Sequence, residues 1–312
     1  MAFPGTSVSE FFARFPDRDA CLAHVFATRY GDHSTCPHCF QLGSWRRIKG
    51  VPKYQHGCRA HVSPTKDTIF YRSNLSLMAW FYALLLFGNS AHGIRMEFIR
   101  KQLGLGTRST ARLCTYIRYQ MASCARPAVL GGPGKLVHVD ELHLQYFHGL
   151  RGAGEILWGC ECEGQVLSCI IPDRKGKTIL AAIERFVAPG SIIVTDQHAS
   201  YKQLRRRGWS HVSINHSRAF HNFRGITNNP IETYWVTVRR TLRAYRKVMR
   251  ENLWLYVAEM EFRYNRRHSE TPLFDHLISN FPPVTPETMP GLRARYVADP
   301  SLEPYGGCGR GS

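Results

Sequence analysis

The stretch from residue 135 to about residue 250 constrains the fold most, because its elements follow one another in a recognisable order. Three β-prone segments come first: KLVHVDELHLQYF, EILWGCECE and QVLSCIIP, the last two joined by a predicted turn at Glu163–Gly164. A helical run, an apolar strand, a polar helix, a fifth strand and a long helix follow: GKTILAAIERFV, PGSIIVTD, HASYKQLRRRG, HVSINHS and the segment that begins at Asn229. The pattern predicts three antiparallel strands and then alternating helices and strands.

This order is that of an RNase H-like domain, of mixed α/β (α+β) class. Asp140 lies in the middle of the first strand, Asp196 ends the fourth, and Glu232 opens the last helix. Burying a carboxylate in an apolar strand without partners is unfavourable, so packing alone does not explain Asp140. Nucleases and transposases on this fold use converging carboxylates to hold two divalent cations. We therefore predict that these three acids hold two Mg²⁺ ions, or Mn²⁺ in their place.

Two of the three acids, Asp196 and Glu232, also have a simpler interpretation. Asn229 is a good N-cap, Pro230 suits the first helical position, and Glu232 sits three residues after the cap, so Glu232 fits a capping box. Asp196 can start a turn. Glu141 follows Asp140, and strand alternation points it to the opposite face of the sheet.

Two short cysteine motifs predict a metal site near the N-terminus. Residues 36–39 are CPHC and residues 58–61 are CRAH, which gives the form C-x2-C…C-x2-H with 18 residues between the pairs. Four such ligands suit tetrahedral zinc in a structural role, as in a zinc ribbon. The predicted ligands are Cys36, Cys39, Cys58 and His61. His38 and His56 are nearby alternatives for the fourth ligand.

A pair of amphipathic helices over 90–125, broken at Leu103-Gly104-Leu105-Gly106, predicts a helix-turn-helix. In that motif the N-terminal residues of the second helix contact base edges. The candidates are Arg108, Ser109, Thr110 and Arg112. Two such helices also pack together in proteins that bind no DNA, so that alternative stays open. The formal net charge of +18 favours a polyanionic partner, and the basic segment 239–250 adds candidate phosphate contacts: Arg240, Arg243, Arg246 and Lys247.

Five segments in combination carry a family resemblance: VHVDE (137–141), GSIIVTDQHASY (190–201), VSINHS (212–217), TNNPIETYW (227–235) and FRYNRR (262–267). They are similar to motifs of the DDE transposases of bacterial insertion sequences related to the eukaryotic Merlin elements, the ISXO2-like transposases. The resemblance covers roughly residues 10–270. It implies that Asp140, Asp196 and Glu232 are the metal-binding triad.

The resemblance has further implications for individual residues. Family members often carry a basic residue seven positions after the third acid, and Arg239 fills that place, nearly two helical turns from Glu232. His216 lies in a family motif and is a candidate for contact with DNA or the active site, with a structural histidine as the alternative. Some relatives have Asn as the third residue, which makes Asn228 and Asn229 fallback ligands. The family leads us to expect Cys-x2-Cys at the second knuckle, so His61 is a departure.

The function implied is metal-dependent cleavage and joining of DNA at insertion-sequence ends. The expected partners are double-stranded DNA, both terminal inverted repeats and target, and further copies of the chain in a dimer or larger synaptic assembly. Alternatives are an RNase H-like nuclease that cuts without joining and a non-catalytic DNA-binding regulator. We expect a cytoplasmic protein on bacterial nucleoid DNA, since the cysteines fit a reduced, intracellular chain. The most apolar run, MAWFYALLLFG, has only 11 residues, so no membrane partner is expected.

The sequence also predicts a division into domains. A linker is expected at Pro127 and the GGPG stretch of 131–134, and the Pro-rich C-terminus is expected to be partly disordered. The predicted segments are 1–33, helical; 34–72, a zinc ribbon; 73–127, the helix-turn-helix region; 135–270, the RNase H-like catalytic domain; and 271–312, a C-terminal extension.

Overall fold

A computed structural model describes residues 4–31, 35–144, 154–214, 229–245 and 248–298 of the 312-residue chain. The fold is mixed α/β, as predicted, and it divides into two compact units. One unit comprises residues 1–124 and 266–289, and the other comprises residues 125–265 and 290–312. Among the described residues, no helix has both the length and the apolar character needed to cross a membrane.

Three helices of the first unit begin at side-chain caps. Ser7 and Glu10 form a reciprocal capping box at the start of α1, and Asp17 and Ser76 cap α2 and α3. The apolar run MAWFYALLLFG lies in α3, most of whose side chains are buried. The helices of this unit are α1 (Val8–Arg14), α2 (Arg18–Tyr30), α3 (Leu77–Gly88), α4 (Met96–Leu103), α5 (Thr107–Ser123) and α9 (Leu273–Ile278).

A small antiparallel sheet lies between α2 and α3 in the sequence of the first unit. Its strands, in the order β1-β2-β3, are β1 (Trp45–Arg47), β2 (Tyr54–His56) and β3 (His61–Val62). Trp45 pairs with His56, and Tyr54 pairs with Val62. On β2, Tyr54 and His56 are buried while the residue between them is half-buried. Because side chains alternate between the two faces of a strand, the His56 ring lies on the buried face of this sheet.

The second unit contains a five-stranded sheet with the order β10-β9-β5-β6-β7. Strand β6 is antiparallel to its neighbours β5 and β7, whereas β9 is parallel to both β5 and β10. Their bounds are β5 (Leu136–His143), β6 (Ile156–Cys162), β7 (Gln165–Ile171), β9 (Ile192–Thr195) and β10 (Ser210–Ser213). A separate parallel pair joins β4 (Leu130–Gly131) to β8 (Val187–Ala188).

Helices cover both faces of this sheet. On one face, α6 (Gly176–Phe186) packs through Phe186, whose ring stacks on Trp158 at 5.7 Å between centroids. The other face carries α7 (Asn229–Tyr245) and α8 (Leu253–Asn265). Tyr234 of α7 and Glu261 of α8 both hydrogen-bond Ser168 of β7, at 2.9 Å each. A last helix of this unit is α10 (Met289–Ala294).

Most predicted elements are present, with three differences. The predicted polar helix over 198–208 is two short 3-10 turns, Ala199–Tyr201 and Arg205–Arg207. The helix expected to begin near residue 90 begins at Met96. The C-terminal extension contains α9 and α10, and beyond them Ile170 of β7 exchanges backbone hydrogen bonds with Tyr296 and Ala298. Residues 299–312 lie outside the described part of the chain.

Candidate functional site

Asp140 and Asp196 occupy equivalent positions on neighbouring parallel strands. Leu136 is paired with Ile192 and His138 with Val194, and the same register carried two residues further aligns Asp140 with Asp196. Asp196 immediately follows the last residue of β9, where its Oδ1 accepts the backbone N–H of His198 at 3.0 Å. Residues that are aligned on neighbouring strands point to the same face of the sheet. Asp140 points to the face that carries α7, so the register assigns Asp196 to that face too.

Helix α7 lies directly against this part of the sheet. Asp140 is opposite Gly159 on β6, and a Cβ at Gly159 would lie 2.8 Å from the Trp235 ring, so glycine permits the close approach of the helix. The Trp235 indole Nε1 donates a hydrogen bond to Asp140 Oδ2 at 3.1 Å. Trp235 is three residues after Glu232, and residues at this spacing lie on neighbouring positions of one helix face.

The environment of Asp140 is strongly perturbed. Burial raises its pKa to about 7, against the ordinary value of 3.8. The negative charges of Glu141 and Asp196 add to the increase, while the hydrogen bond from Trp235 opposes it. A carboxylate held in such surroundings gains from a nearby cation, which would offset both the burial and the repulsion between acids.

Glu141 points to the opposite face, as predicted from alternation, and forms a buried polar cluster there. Its Oε2 accepts hydrogen bonds from Arg174 Nε at 3.0 Å and from Arg174 Nη2 at 2.8 Å. Its Oε1 accepts the hydroxyl of Tyr201, which lies in the 3-10 turn that follows Asp196. The Glu141 side chain is 1% exposed. The cluster therefore ties the chain after Asp196 to the strand that bears Asp140, a link that the sequence reasoning did not identify.

Four further candidates lie on the described part of α7. Glu232 is half-buried in the first turn of α7. Three arginines further along the helix are exposed: Arg239, Arg240 and Arg243. Four other candidates lie outside the described residues: His216, Asn228, Arg246 and Lys247. The side chain of Asn229, a fallback ligand, is also not described.

One group of side chains in the described part of the chain has the compactness of a metal site. The ligand atoms of Cys36, Cys39, His56 and Cys58 all lie within 4.8 Å of one another, and Asp140, Asp196 and Glu232 do not form such a group. The Cys36 and Cys58 sulfurs are 3.7 Å apart, and His56 Nδ1 is 3.5 Å from the Cys39 sulfur. Tetrahedral zinc with ordinary bond lengths separates two sulfurs by about 3.8 Å, so the three thiols and the imidazole can hold zinc.

The fourth member of this cluster is His56, one of the two alternatives named from the sequence, and His61 lies outside the cluster. His61 is exposed on β3, and its Nε2 lies 3.0 Å from the Gln55 side-chain nitrogen. His56 is 6% exposed, and its ring packs on Trp45 at 5.0 Å. A Cβ at Gly43 would lie 1.9 Å from His56 Nε2, so only glycine leaves room for the ring. The second knuckle is therefore H-x-C, a spacing visible in the sequence as His56-Gly57-Cys58.

Backbone groups also favour the thiolate form of Cys36. Burial alone would raise the pKa of this thiol, but backbone N–H groups of Cys39 and His38 donate to the sulfur and lower the pKa overall. The His38 N–H is 3.5 Å from the Cys36 sulfur. Zinc binds thiolates rather than thiols, so this arrangement favours metal binding.

Helices α4 and α5 contact each other and are joined by Gly104, Leu105 and Gly106. Gly104 takes a left-handed conformation, which ends α4. At the start of α5, Arg108, Ser109 and Arg112 are exposed. Thr110 is fully buried and its hydroxyl donates to the Gly106 carbonyl at 3.0 Å, so Thr110 does not face solvent and is removed from the candidate DNA contacts.

Comparison with known proteins places the chain in a family. A family model described as the ISXO2-like transposase domain matches residues 146–265, a range that includes Asp196, Glu232 and Arg239 but begins after Asp140. An "Uncharacterized transposase-like protein" of Haemophilus influenzae (strain ATCC 51907 / DSM 11121 / KW20 / Rd) is 34% identical over 104 residues, which are 32% of this chain and 81% of that protein. The chain therefore belongs to the ISXO2-like transposase family.

Proposed function

We propose that this protein is a DDE transposase that cleaves and joins DNA at insertion-sequence ends. In this proposal residues 135–270 form an RNase H-like catalytic domain, and Asp140, Asp196 and Glu232 form its metal-binding triad. The zinc cluster and the α4–α5 helix pair belong to the DNA-recognition part of the chain.

One observation carries the proposal: the register of the parallel strands β5 and β9, extended by two residues, aligns Asp140 with Asp196, and α7 is anchored to Asp140 by Trp235. The strand order, with three antiparallel strands followed by two parallel ones, is that expected of an RNase H-like sheet. Glu232 lies one helical turn before the anchoring tryptophan. These relationships support convergence of the three acids at one end of the sheet.

The donor set fits magnesium. Hard divalent cations prefer carboxylate oxygens, and burial together with neighbouring negative charge raises the pKa of Asp140 to about 7, which marks a site with excess negative charge. Two metal ions of such a site are about 3.5–4 Å apart, so their ligands need not all lie within the 4.8 Å that defines the zinc cluster. Bound magnesium would activate the attacking oxygen and stabilise the leaving oxygen.

The reaction has two phosphoryl-transfer steps. In the first, water attacks a phosphodiester at the element end, the P–O3′ bond breaks, and a free 3′-OH and a 5′-phosphate result. In the second, that 3′-OH attacks a phosphodiester of target DNA, a new P–O bond forms, and the displaced target 3′-oxygen leaves with a proton. The residues of the chain contribute position and charge: the three acids hold the site, and Arg239, exposed on α7, binds a DNA phosphate beside it.

Cleavage and strand joining of DNA from the flanks of the gene test the proposal. Wild-type protein with Mg²⁺ should nick these duplexes at a defined position and join pre-cut ends to target DNA, and chelation should abolish both. Asp196→Asn should bind the same DNA without cutting it. Cleavage without joining would establish the nuclease alternative, and DNA binding without metal-dependent cleavage would establish the regulator.

Recognition of the element ends is assigned to α5, through Arg108, Ser109 and Arg112 at its exposed N-terminal turn. Helix α4, the short Gly-containing link and α5 fit a helix-turn-helix, whose second helix contacts base edges. The zinc ribbon has a structural role. Both element ends must be held together for joining, so the active form is a dimer or a larger assembly on DNA.

The double variant Arg108→Ala/Arg112→Ala tests this assignment. It should lose discrimination between end DNA and random duplex while keeping its zinc and its fold. Competition binding at fixed ionic strength measures the discrimination, and an unchanged ratio would remove α5 as the recognition helix.

A further inference from the structure

Two chain segments of the second unit bring six exposed or partly exposed cations to one surface. The first is the link into α6, with Lys175 and Lys177. The second follows Asp196 and includes the Arg205–Arg207 turn. We name these residues the lysine–arginine patch: Lys175, Lys177, Lys202, Arg205, Arg206 and Arg207. All six are exposed.

The two segments touch at Gly176, which lies between Lys175 and Lys177. A Cβ at Gly176 would lie 2.3 Å from the Gln203 side-chain nitrogen and 3.2 Å from the Ser200 carbonyl. The Ser200 hydroxyl donates to the Arg174 carbonyl at 2.5 Å. Gly176 lies between Lys175 and Lys177, and Gln203 follows Lys202. The absence of a side chain at Gly176 therefore brings the lysines of both segments together.

Little of this positive charge is neutralised within the described part of the chain. Lys175 pairs with Asp173 at 3.1 Å, but Lys175 is 81% exposed, and such surface pairs contribute little. Arg205 donates to the His211 carbonyl, which carries no net charge. No hydrogen bond or ion pair among the described residues engages the side chains of Lys202, Arg206 or Arg207. Among the described residues, the four cations between Lys202 and Arg207 therefore carry an excess of positive charge.

The patch lies a few residues along the chain from residues of the candidate metal site and its neighbours. Lys202 is six residues after Asp196, and Lys175 follows Arg174, whose guanidinium bonds Glu141 beside Asp140. Six residues span at most about 20 Å even when fully extended, and the 3-10 turn shortens that distance. A polyanion that crosses the patch therefore passes close to Asp196.

We propose that the lysine–arginine patch binds the phosphate backbone of duplex DNA and guides that DNA across the metal site. The inference rests on the proposed function, because it names a second DNA surface in addition to α5 and α7. Contacts of this kind are independent of sequence, so the patch suits target DNA, which must be accepted at many positions.

Counterion release gives a measurable signature. Each phosphate contact contributes about 0.9 to the slope of log affinity against log salt concentration. The triple variant Lys202→Ala/Arg206→Ala/Arg207→Ala should bind random-sequence duplex at least roughly 10-fold more weakly at low salt, with a slope less negative by about 1–3. These side chains are exposed, so the thermal melting temperature should stay close to that of the wild type.

A matched control removes the same charge elsewhere in this unit. The variant Lys135→Ala/Arg293→Ala/Arg295→Ala should keep the wild-type affinity and slope, because Lys135 lies before the start of β5 and Arg293 and Arg295 lie in or just after α10. A triple patch variant with wild-type affinity and slope would overturn the proposal while leaving the proposed function intact. A wild-type protein with no salt-dependent binding to duplex DNA would overturn both.

A second measurement uses the wild-type protein alone and so does not depend on the folding of a variant. Acetylation of lysines, followed by mass spectrometry, should show protection of Lys177 and Lys202 when a random-sequence duplex is present. Lys135 should be labelled equally with and without DNA. Equal labelling of Lys177 and Lys202 in the two conditions would overturn the assignment.

Discussion

The Trp235 indole donates to Asp140 Oδ2 at 3.1 Å, across 95 residues of sequence. This hydrogen bond joins α7, the helix of Glu232, to the strand that holds the first acid. Trp235 is 1% exposed and its ring fills the space left by Gly159. One side chain therefore sets both the distance of the helix from the sheet and the orientation of the Asp140 carboxylate.

Trp235→Phe separates these two roles, because phenylalanine keeps an aromatic ring in the pocket and removes the donor. We expect magnesium-dependent cleavage, or the affinity for magnesium, to fall about 10–100-fold, the usual effect of losing a group that orients a metal ligand. Cleavage rates measured against magnesium concentration check this. Tyr234→Phe is the control, since its hydroxyl bonds Ser168 and not an acid of the site. Equal losses in both variants would mean that the helix packing, and not the hydrogen bond, sustains activity.

The raised pKa of Asp140 predicts a dependence of stability on pH. Because burial raises this pKa from 3.8 to about 7, the folded protein favours the protonated carboxyl. The associated stabilisation is complete below pH 3.8 and is lost as the pH rises through about 7. Asp140→Asn removes that loss, so without divalent metal the variant should be more stable than the wild type at pH 8, by about 2–4 kcal/mol.

Urea unfolding at pH 5 and pH 8 measures the free energy of unfolding of both proteins. The excess stability of Asp140→Asn over the wild type should be larger at pH 8 than at pH 5. Added Mg²⁺ should stabilise the wild type at pH 8 and leave Asp140→Asn unchanged, because a ligand stabilises only the folded state that binds it. A difference between wild type and variant that is constant with pH would contradict the assigned pKa.

The zinc cluster predicts opposite results for two histidines five residues apart. His56→Ala should lose bound zinc and melt at a lower temperature, because the energy of binding structural zinc contributes to folding. His61→Ala should keep one zinc per chain, since His61 is exposed on β3 and lies outside the cluster. Gly43→Ala should resemble His56→Ala, because its methyl group would displace the imidazole. Elemental analysis of the three purified variants decides; zinc loss in His61→Ala alone would restore the ligand set expected from the sequence.

The main sheet was predictable because its signals are local and periodic. Alternation along β5 and the short apolar strand before Asp196 located both strands, and strand parity already assigned Asp140 and Glu141 to opposite faces. The turn at Glu163–Gly164 was also predicted, and both residues take positive φ there, as a two-residue hairpin requires. Residue type and spacing were sufficient for each of these features.

Features that depend on contacts between distant segments were not predictable. His56 rather than His61 lies beside the three cysteines because His56 is on the buried face of β2 and its ring fits in the space beside Gly43. A Cys-x2-His pattern encodes neither feature. The segment after Asp196, HASYKQLRRRG, was predicted from its sequence to be a polar helix. It forms 3-10 turns instead, with Tyr201 and Leu204 three residues apart and both buried. A spacing of three suits a 3-10 turn.

Glu141 gives a test of how the loop after Asp196 is held. Glu141→Gln keeps the volume and an acceptor for Tyr201 but removes the charge that pairs with Arg174. We expect a loss of about 1–3 kcal/mol in the free energy of unfolding, the usual range for a hydrogen bond to a charged group. Cleavage should also fall, through misplacement of Asp196. Arg174→Lys should restore part of the stability lost in Arg174→Ala, because a lysine still supplies a positive charge. Equal stability of Glu141→Gln and wild type would remove this cluster as a structural link.

Glu232 has two possible roles at the start of α7, and Glu232→Gln separates them. Glutamine three residues after Asn229 can still accept from the Asn229 backbone N–H, so a purely capping role predicts a loss of at most about 1 kcal/mol in stability and normal cleavage. A metal ligand needs the negative charge. In that case the variant should fold and bind DNA, yet lose magnesium-dependent cleavage and joining by several orders of magnitude, as should Asp140→Asn and Asp196→Asn. Glu184→Gln, at an exposed position of α6, is the matched control and should stay active. If Glu232→Gln cleaves and joins DNA at the wild-type rate, Glu232 is not the third metal ligand, and Asn228 or Asn229 becomes the candidate.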